Sequence, residues 1–461
     1  MDLSALMADH LVGAQYGDIP AAAIEAAKKE VIDSLATALG GTTKPGVPEL
    51  VALAKEWGGA PQSTVFGYGI KCPAPVAAQV NGSMIHALDY DDGHPVALVH
   101  IGCVAVSTSF AAAERRGNVS GKSLLAALAL GADFECRLGL ASRPGSSALG
   151  AGWHPTTLFG HLGAAAMAGR IFGLDSQRML DGLGLAYHQC AGAGSGVGDG
   201  ALAKRMGPGL AARAGLTAAL MAERGITGDR HFLGGPSGRG GLYNVYYGGD
   251  FDAAILTADL GKRFLGVDIG DKPYPCCGFT HPFIDAAFAL MSKYGIEADQ
   301  VASMTARGGQ AVYGMIVGEA KVAPRTIVDA QFSVPWTVST ALLKGKVTLD
   351  SFTPESIKDQ SVVAVARKVS GELDHTMDRH GVGPGRLTIT MKDGQQYLEE
   401  VEHFLGSVEN PMSFDDCAAK FRECARCALY PLPSTTVDRI IDLVRRLDEV
   451  DDISQITRLL A

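Results

Sequence analysis

Apolar positions recur at helical spacing through most of the first 260 residues. After Asp18 and Pro20, the positions Ile24, Val31, Ile32, Leu35 and Leu39 repeat at intervals of four and seven until Gly40-Gly41 stops the run, which predicts a long amphipathic helix. Comparable alanine-rich runs at 75–88, 103–116, 121–138, 157–172, 177–190 and 208–224, separated by Gly, Pro and Ser, extend the same pattern into an all-helical domain. The texture changes after Phe264. A Pro/Cys-rich segment, Lys272-Pro-Tyr-Pro-Cys-Cys, precedes a helix expected at 280–294 and β-favourable stretches at 299–306, 361–370 and 386–392. The last of these alternates and leads through Lys392-Asp393-Gly394, a turn sequence, into a second strand at 397–403. Helical periodicity returns after Asn410-Pro411, at 414–427 and 437–449, so a smaller α+β region is expected between helices that pack back on the first domain.

Composition narrows the class. Hydrophobic residues make up 47% and charged residues 19%, which excludes a disordered chain. The 58 glycines have no period of three and are accompanied by few aromatics (7%), so they point to closely packed helices and not to a collagen-like fibre. With 40 Lys+Arg against 49 Asp+Glu the net charge of −9 opposes nucleic-acid binding. The first twenty residues carry no basic, apolar export pattern, and no apolar run reaches the ~18 residues of a membrane span, so a soluble cytoplasmic protein with no membrane partner is expected. Nine scattered cysteines, an odd number, are read as reduced thiols.

Four clusters could carry chemistry. The densest runs from His86 to His100 and holds Asp89, Asp91, Asp92 and His94 as well. Carboxylates beside imidazoles orient them and support proton exchange with a substrate; a solvated loop with Asp92 capping the next helix is the plain alternative. A divalent-metal site is a third reading, although neither an HExxH nor an EF-hand spacing is present. The second cluster, Gly152-Trp-His154-Pro-Thr-Thr157, puts a histidine at a helix entry, where free backbone N–H groups favour anions. The third, Lys204-Arg205, follows a glycine-rich run at 192–200 that fits no nucleotide-loop register, and could meet a carboxylate or simply be a solvated pair. In the fourth, prolines around Lys272 give a rigid segment able to aim that cation; adjacent Cys276 and Cys277 are poor joint metal ligands.

In this order the blocks resemble one family. The DYDDGH loop with His100 downstream, GWHPT, the Lys-Arg turn before AARAGLTAALMAERGITG, KPYPCCGFTHPFIDAA, DAQFSVPW and ENPMSFDDCAAKFRECA are similar to the MmgE/PrpD family over nearly the whole chain. The resemblance implies a mainly α fold: a large all-helical domain built from both chain ends, here 1–267 and 405–461, plus a smaller α+β lid domain at 268–404. It also implies a homodimer, an active site between the domains, and no metal or organic cofactor. The family includes 2-methylcitrate dehydratase, cis-aconitate decarboxylase and iminodisuccinate epimerase, which share proton transfer at a carbon next to a carboxylate. Carried over by position, His100, Asp89, His154 and Lys272 become the expected catalytic set, with His100 as general acid/base oriented by Asp89. Lys204, Asp91, His94 and Trp336 are expected to contact a small carboxylate substrate.

Departures from the family pattern bear on the substrate. Gly207, Leu210 and Gly278 stand where relatives often carry polar or cationic side chains, which points to fewer anchors and a smaller or less charged substrate than 2-methylcitrate. Trp336 replaces an active-site tyrosine, which argues against decarboxylation. The sequence therefore favours a dehydratase of a small hydroxy di- or tricarboxylate, with an epimerase, a cis-aconitate-type decarboxylase or a non-enzymatic family member as alternatives.

Overall fold

The computed structural model describes residues 2–142, 152–197, 201–234, 240–379 and 381–461, so residues 198–200 of the glycine-rich run lie outside the described residues. The chain divides into two compact units, Met1–Ile269 together with Ser413–Ala461, and Gly270–Met412.

The first unit is built from helices α1 (Leu3–Gly13), α2 (Ala21–Gly41), α3 (Val47–Trp57), α4 (Ala74–Ile85), α5 (Gly102–Arg116), α6 (Gly121–Ala141), α7 (Pro155–Phe172), α8 (Ser176–Tyr187) and α9 (Ala203–Glu223). Pro20 occupies the N-cap of α2, whose expected apolar positions Ile24, Val31, Ile32, Leu35 and Leu39 are all buried. At the chain's other end the helix Phe414–Arg426 packs on α2, and its Ser413 and Asp416 form a reciprocal capping box. Small residues let the central helices approach closely. A Cβ on Gly215 of α9 would lie 2.5 Å from both the Ala164 Cβ and the His161 carbonyl oxygen of α7, and one on Gly209 would lie 2.2 Å from the Gln79 carbonyl oxygen of α4. No helix among the described residues is long and apolar enough to cross a membrane.

Two departures from the periodicity have local causes. The first domain is not wholly helical: β1 (Ser63–Val65) pairs antiparallel with β2 (Ile70–Cys72) in register Ser63↔Cys72. These strands are too short for an alternating pattern, and Glu114 of α5 anchors them by accepting from the Thr64 N–H (2.7 Å) and hydroxyl (2.8 Å). Helix α9 begins at Ala203, one turn before the expected start, and contains Pro208. Pro208 is the sixth residue of the helix, where its ring removes the one hydrogen bond that an N–H would make to the Lys204 carbonyl.

The second unit carries a four-stranded sheet formed by β3 (Val301–Gly308), β4 (Val369–Leu373), β5 (Gly385–Met391) and β6 (Gln396–Val401), ordered β4-β3-β5-β6. β3 and β4 are parallel, whereas β5 runs antiparallel to both β3 and β6. Leu387 and Ile389 alternate into a core shared with the helices His281–Tyr294 and Val334–Lys344. The stretch at 361–370, expected as a strand, is instead the helix Gln360–Ala366 followed by β4. Its valines favour a strand locally, but Asp359 caps the helix by accepting from Ser361 N–H, and Val362, Val363 and Val365 are buried on it.

Gly215→Ala should lower the melting temperature clearly, with a cost of about 1–3 kcal/mol from overpacking, read by thermal unfolding. Gly13→Ala, where a Cβ meets nothing within 4 Å, should leave it unchanged.

Candidate active site

The acidic loop joins α4 to α5. After α4 the chain makes a 3-10 turn, His86–Leu88, and Asp89 then adopts a left-handed conformation at φ 54°. Asp92 ties the loop to the next helix: its carboxylate accepts from Ile101 N–H (2.7 Å) and Gly102 N–H (3.1 Å), two of the donors that a helix start leaves unpaired. Its main-chain carbonyl accepts from Nδ1 of His100 at 2.6 Å. A carbonyl can only accept, so His100 carries a proton on Nδ1, which leaves Nε2 as its proton-transfer atom.

Helix termini converge around this ring. His86 ends α4, His100 precedes α5, His154 is the N-cap of α7 and Lys204 lies in the first turn of α9. The His86 and His100 ring centroids are 4.8 Å apart, and those of His86 and His154 are 5.9 Å apart. His86 Nδ1 bonds the Asp91 carboxylate at 2.6 Å, while His154 Nδ1 bonds the Thr157 hydroxyl at 2.7 Å. Lys204 Nζ stands 3.6 Å from the Asp89 carboxylate. The side chain of His100 is 21% exposed, in contrast to the fully buried Asp91 behind it.

Burial keeps His86 and His154 neutral. It pushes His154 down to about 2, helped by the positive charge of Lys204 and the adjacent rings. His86 is also lowered by burial, partly opposed by Asp91. Asp92 is raised well above the usual carboxylate value by burial and by Asp91, against the two N–H donors that favour its charge. Glu135, on α6, is raised well above its usual value by burial and by Asp92. His86, Asp91 and Cys103 offer ligand atoms within 4.8 Å of one another, but Asp91 already holds His86 and burial raises the Cys103 thiol, so the donor set does not suit a resident cation.

The expected residues thus fall into distinct places. His100, His154, Asp89 and Lys204 surround one region of the first unit. The orienting partner of His100 is the Asp92 carbonyl, with Asp91 at 3.5 Å, and not Asp89, which faces Lys204. Asp91, expected at the substrate, is fully buried and bonds His86 at 2.6 Å. His94 also departs from its expected role: its Nδ1 accepts from Val96 N–H (3.2 Å) and Ala97 N–H (3.1 Å), so it builds its own turn. Lys272 lies, half-buried, in the second unit, on a segment tied to that unit's core by Cys277 N–H to Gln331 O (2.9 Å) and Gln331 Nε2 to Pro275 O (3.0 Å). Trp336, expected at the substrate, is 1% exposed in the apolar core of the second unit, and its missing hydroxyl therefore carries no argument against decarboxylation. His86 and Thr157 were not among the expected site residues. Of the family departures, Gly207 has no room for a side chain, because a Cβ there would lie 2.3 Å from the Thr157 hydroxyl; Leu210 is exposed.

The same chain matches the MmgE/PrpD N-terminal domain over residues 5–254 and the MmgE/PrpD C-terminal domain over residues 274–449. The protein belongs to the MmgE/PrpD family. Among its curated relatives, a cis-aconitate decarboxylase of Aspergillus terreus is 29% identical over 466 aligned positions, covering 96% of this chain and 92% of the relative. The cis-aconitate decarboxylases of Mus musculus and Homo sapiens are each 28% identical, covering 95% and 97% of this chain and 89% and 92% of their own lengths. As a family member, the chain has the mainly α, two-domain architecture that the blocks of its sequence imply.

Buried neutral histidines also set a pH dependence. His94 and His161 are both lowered to about 4 by burial, and His154 to about 2, from 6.5 in the open chain. Between these values the unfolded chain binds protons that the folded one refuses. Their contribution is therefore complete above pH 6.5 and falls, by about 1.4 kcal/mol per pH unit for each histidine, as pH drops from 6.5 towards 4. Urea unfolding across that range should show the decline, and His161→Gln should reduce its slope by one proton's worth.

Proposed function

We propose that the protein is a lyase that acts on a small polycarboxylate, without metal or organic cofactor, by proton transfer at a carbon next to a carboxylate. The observation that carries this reading is the fixed tautomer of His100, whose Nδ1–H is held by the Asp92 carbonyl while Nε2 remains able to take or deliver a proton. Lys204, balanced by Asp89, supplies a cation for a substrate carboxylate, and we assign Lys272 of the second unit the same kind of role. Positive groups near a developing enediolate lower its energy, by several kcal/mol in a water-excluded site. His154, kept neutral, is the second proton-transfer group.

Cis-aconitate is the first substrate to test, because relatives aligned over nearly the whole chain carry that activity in their names. In its decarboxylation a C–C bond breaks, CO2 leaves, and the electron pair remains conjugated with a neighbouring carboxylate. His100 takes a proton from solvent at Nε2 and delivers it to that carbon, which completes an unsaturated dicarboxylate. A second reading, elimination of water from a hydroxy di- or tricarboxylate, is supported by the partly exposed edge of His100: the proton that Nε2 takes from the carbon passes to the departing hydroxide, and water leaves. We further assign the protein as a cytoplasmic homodimer, for which light scattering should give twice the chain mass of 48.0 kDa.

The test is to incubate the purified protein with cis-aconitate, 2-methylcitrate and citrate, following CO2 release and proton NMR of the products. One of these should be consumed, and His100→Gln should lower kcat at least ~100-fold with an unchanged melting temperature. Turnover of none of them, or a His100→Gln variant as fast as the parent, would overturn the reading.

A further inference from the structure

We propose that Lys420, on the C-terminal helix Phe414–Arg426, is a positioning residue that sets the acidic loop for catalysis. The proposal rests on the lyase reading for its functional consequence, but its geometric content stands separately.

Lys420 is 4% exposed and makes three contacts at once. Its Nζ pairs with the Asp33 carboxylate of α2 at 2.6 Å, donates to the main-chain carbonyl of Tyr90 at 2.5 Å, and stands 3.9 Å above the centre of the Tyr90 ring. Tyr90 lies between the two carboxylates of the loop. Asp89 on one side faces Lys204, and Asp91 on the other holds His86 and approaches His100. The Tyr90 carbonyl belongs to the peptide that joins Tyr90 to Asp91, so a buried donor on that oxygen fixes the plane from which the Asp91 side chain departs. Asp89, just before it, has a positive φ without being glycine, a conformation that persists only where surrounding contacts hold it. An ammonium clamped by a carboxylate, a carbonyl and a ring face supplies such a hold, and it comes from 330 residues away in the chain. A simple buried pair between α2 and the C-terminal helix would need only Asp33; the carbonyl and the ring tie the same cation to the loop.

The experiment compares neutralised pairs, because removing Lys420 alone would leave Asp33 buried without its cation. Asp33→Asn/Lys420→Met removes both charges and the donor. Asp33→Asn/Lys420→Gln removes both charges but retains an N–H donor for the Tyr90 carbonyl. Circular dichroism and melting temperature establish that each is folded. Amide hydrogen exchange at 90–92 and nitrogen-15 NMR of the histidines then report on the loop without reference to activity. The Met variant is expected to speed exchange at 90–92 about tenfold or more and to lose the single-tautomer signature of His100, with the Gln variant recovering much of both. On whichever carboxylate the parent turns over, kcat of the Met variant should fall about tenfold or more while KM changes little, as expected when reacting groups are misplaced but binding remains. Unchanged loop exchange and histidine signals in the folded Met variant would overturn the positioning role. A parent inactive on every carboxylate would instead defeat the lyase reading, and the exchange and NMR data would still decide the geometry. If the loop loosens but kcat does not move, the catalytic part of the proposal is wrong.

Discussion

The carboxylate and carbonyl of Asp92 form the joint between the acidic loop and helix α5. Two N–H groups at the helix start go to the carboxylate, and the His100 ring goes to the carbonyl. The same residue therefore completes a helix terminus and chooses which nitrogen of His100 carries the proton. Burial and the neighbouring Asp91 disfavour charge on Asp92, so the joint depends on the backbone donors and on exclusion of water together. Everything proposed for His100 follows from that arrangement.

Close helix packing is what gives the joint neighbours. Glycines 209 and 215 on α9 remove side chains where α4 and α7 cross it, so the helices approach with almost no space between backbones. Their ends then meet in one region: His86 after α4, His100 before α5, His154 at the start of α7 and Lys204 at the start of α9. Three of the four are N-terminal ends, whose dipoles favour negative charge, and Lys204 adds a full positive charge.

Gly207 and Thr157 compete for one space. The sequence alone presents Gly207 as a lost anchor, whereas the packed helices show that the Thr157 hydroxyl occupies the space a side chain at 207 would need and bonds His154 from there. The absence of a side chain at 207 thus follows from helix packing here.

Long periodic helices such as α2, α5 and α7, and the strand pair β5–β6 with its Lys392-Asp393-Gly394 turn, were legible in the sequence, because their burial patterns are local and repeat. So were His100, His154, Asp89 and Lys204 as chemical candidates, since their residue types and ordered motifs announce them. The short pair β1–β2 and the helix Gln360–Ala366 were not, because three-residue strands have no period and a run of valines reads as a strand until its cap and its burial are known. What only the tertiary structure decided is which atom each candidate faces. Asp91 and His94 turned out to serve histidine support and turn building, the Asp92 carbonyl took the orienting place expected of Asp89, and Lys420 reached the loop from the far end of the chain. The physical reason is that residue identity sets what a side chain can donate or accept, while its partner is set by the packing of elements distant in sequence, which no local pattern contains.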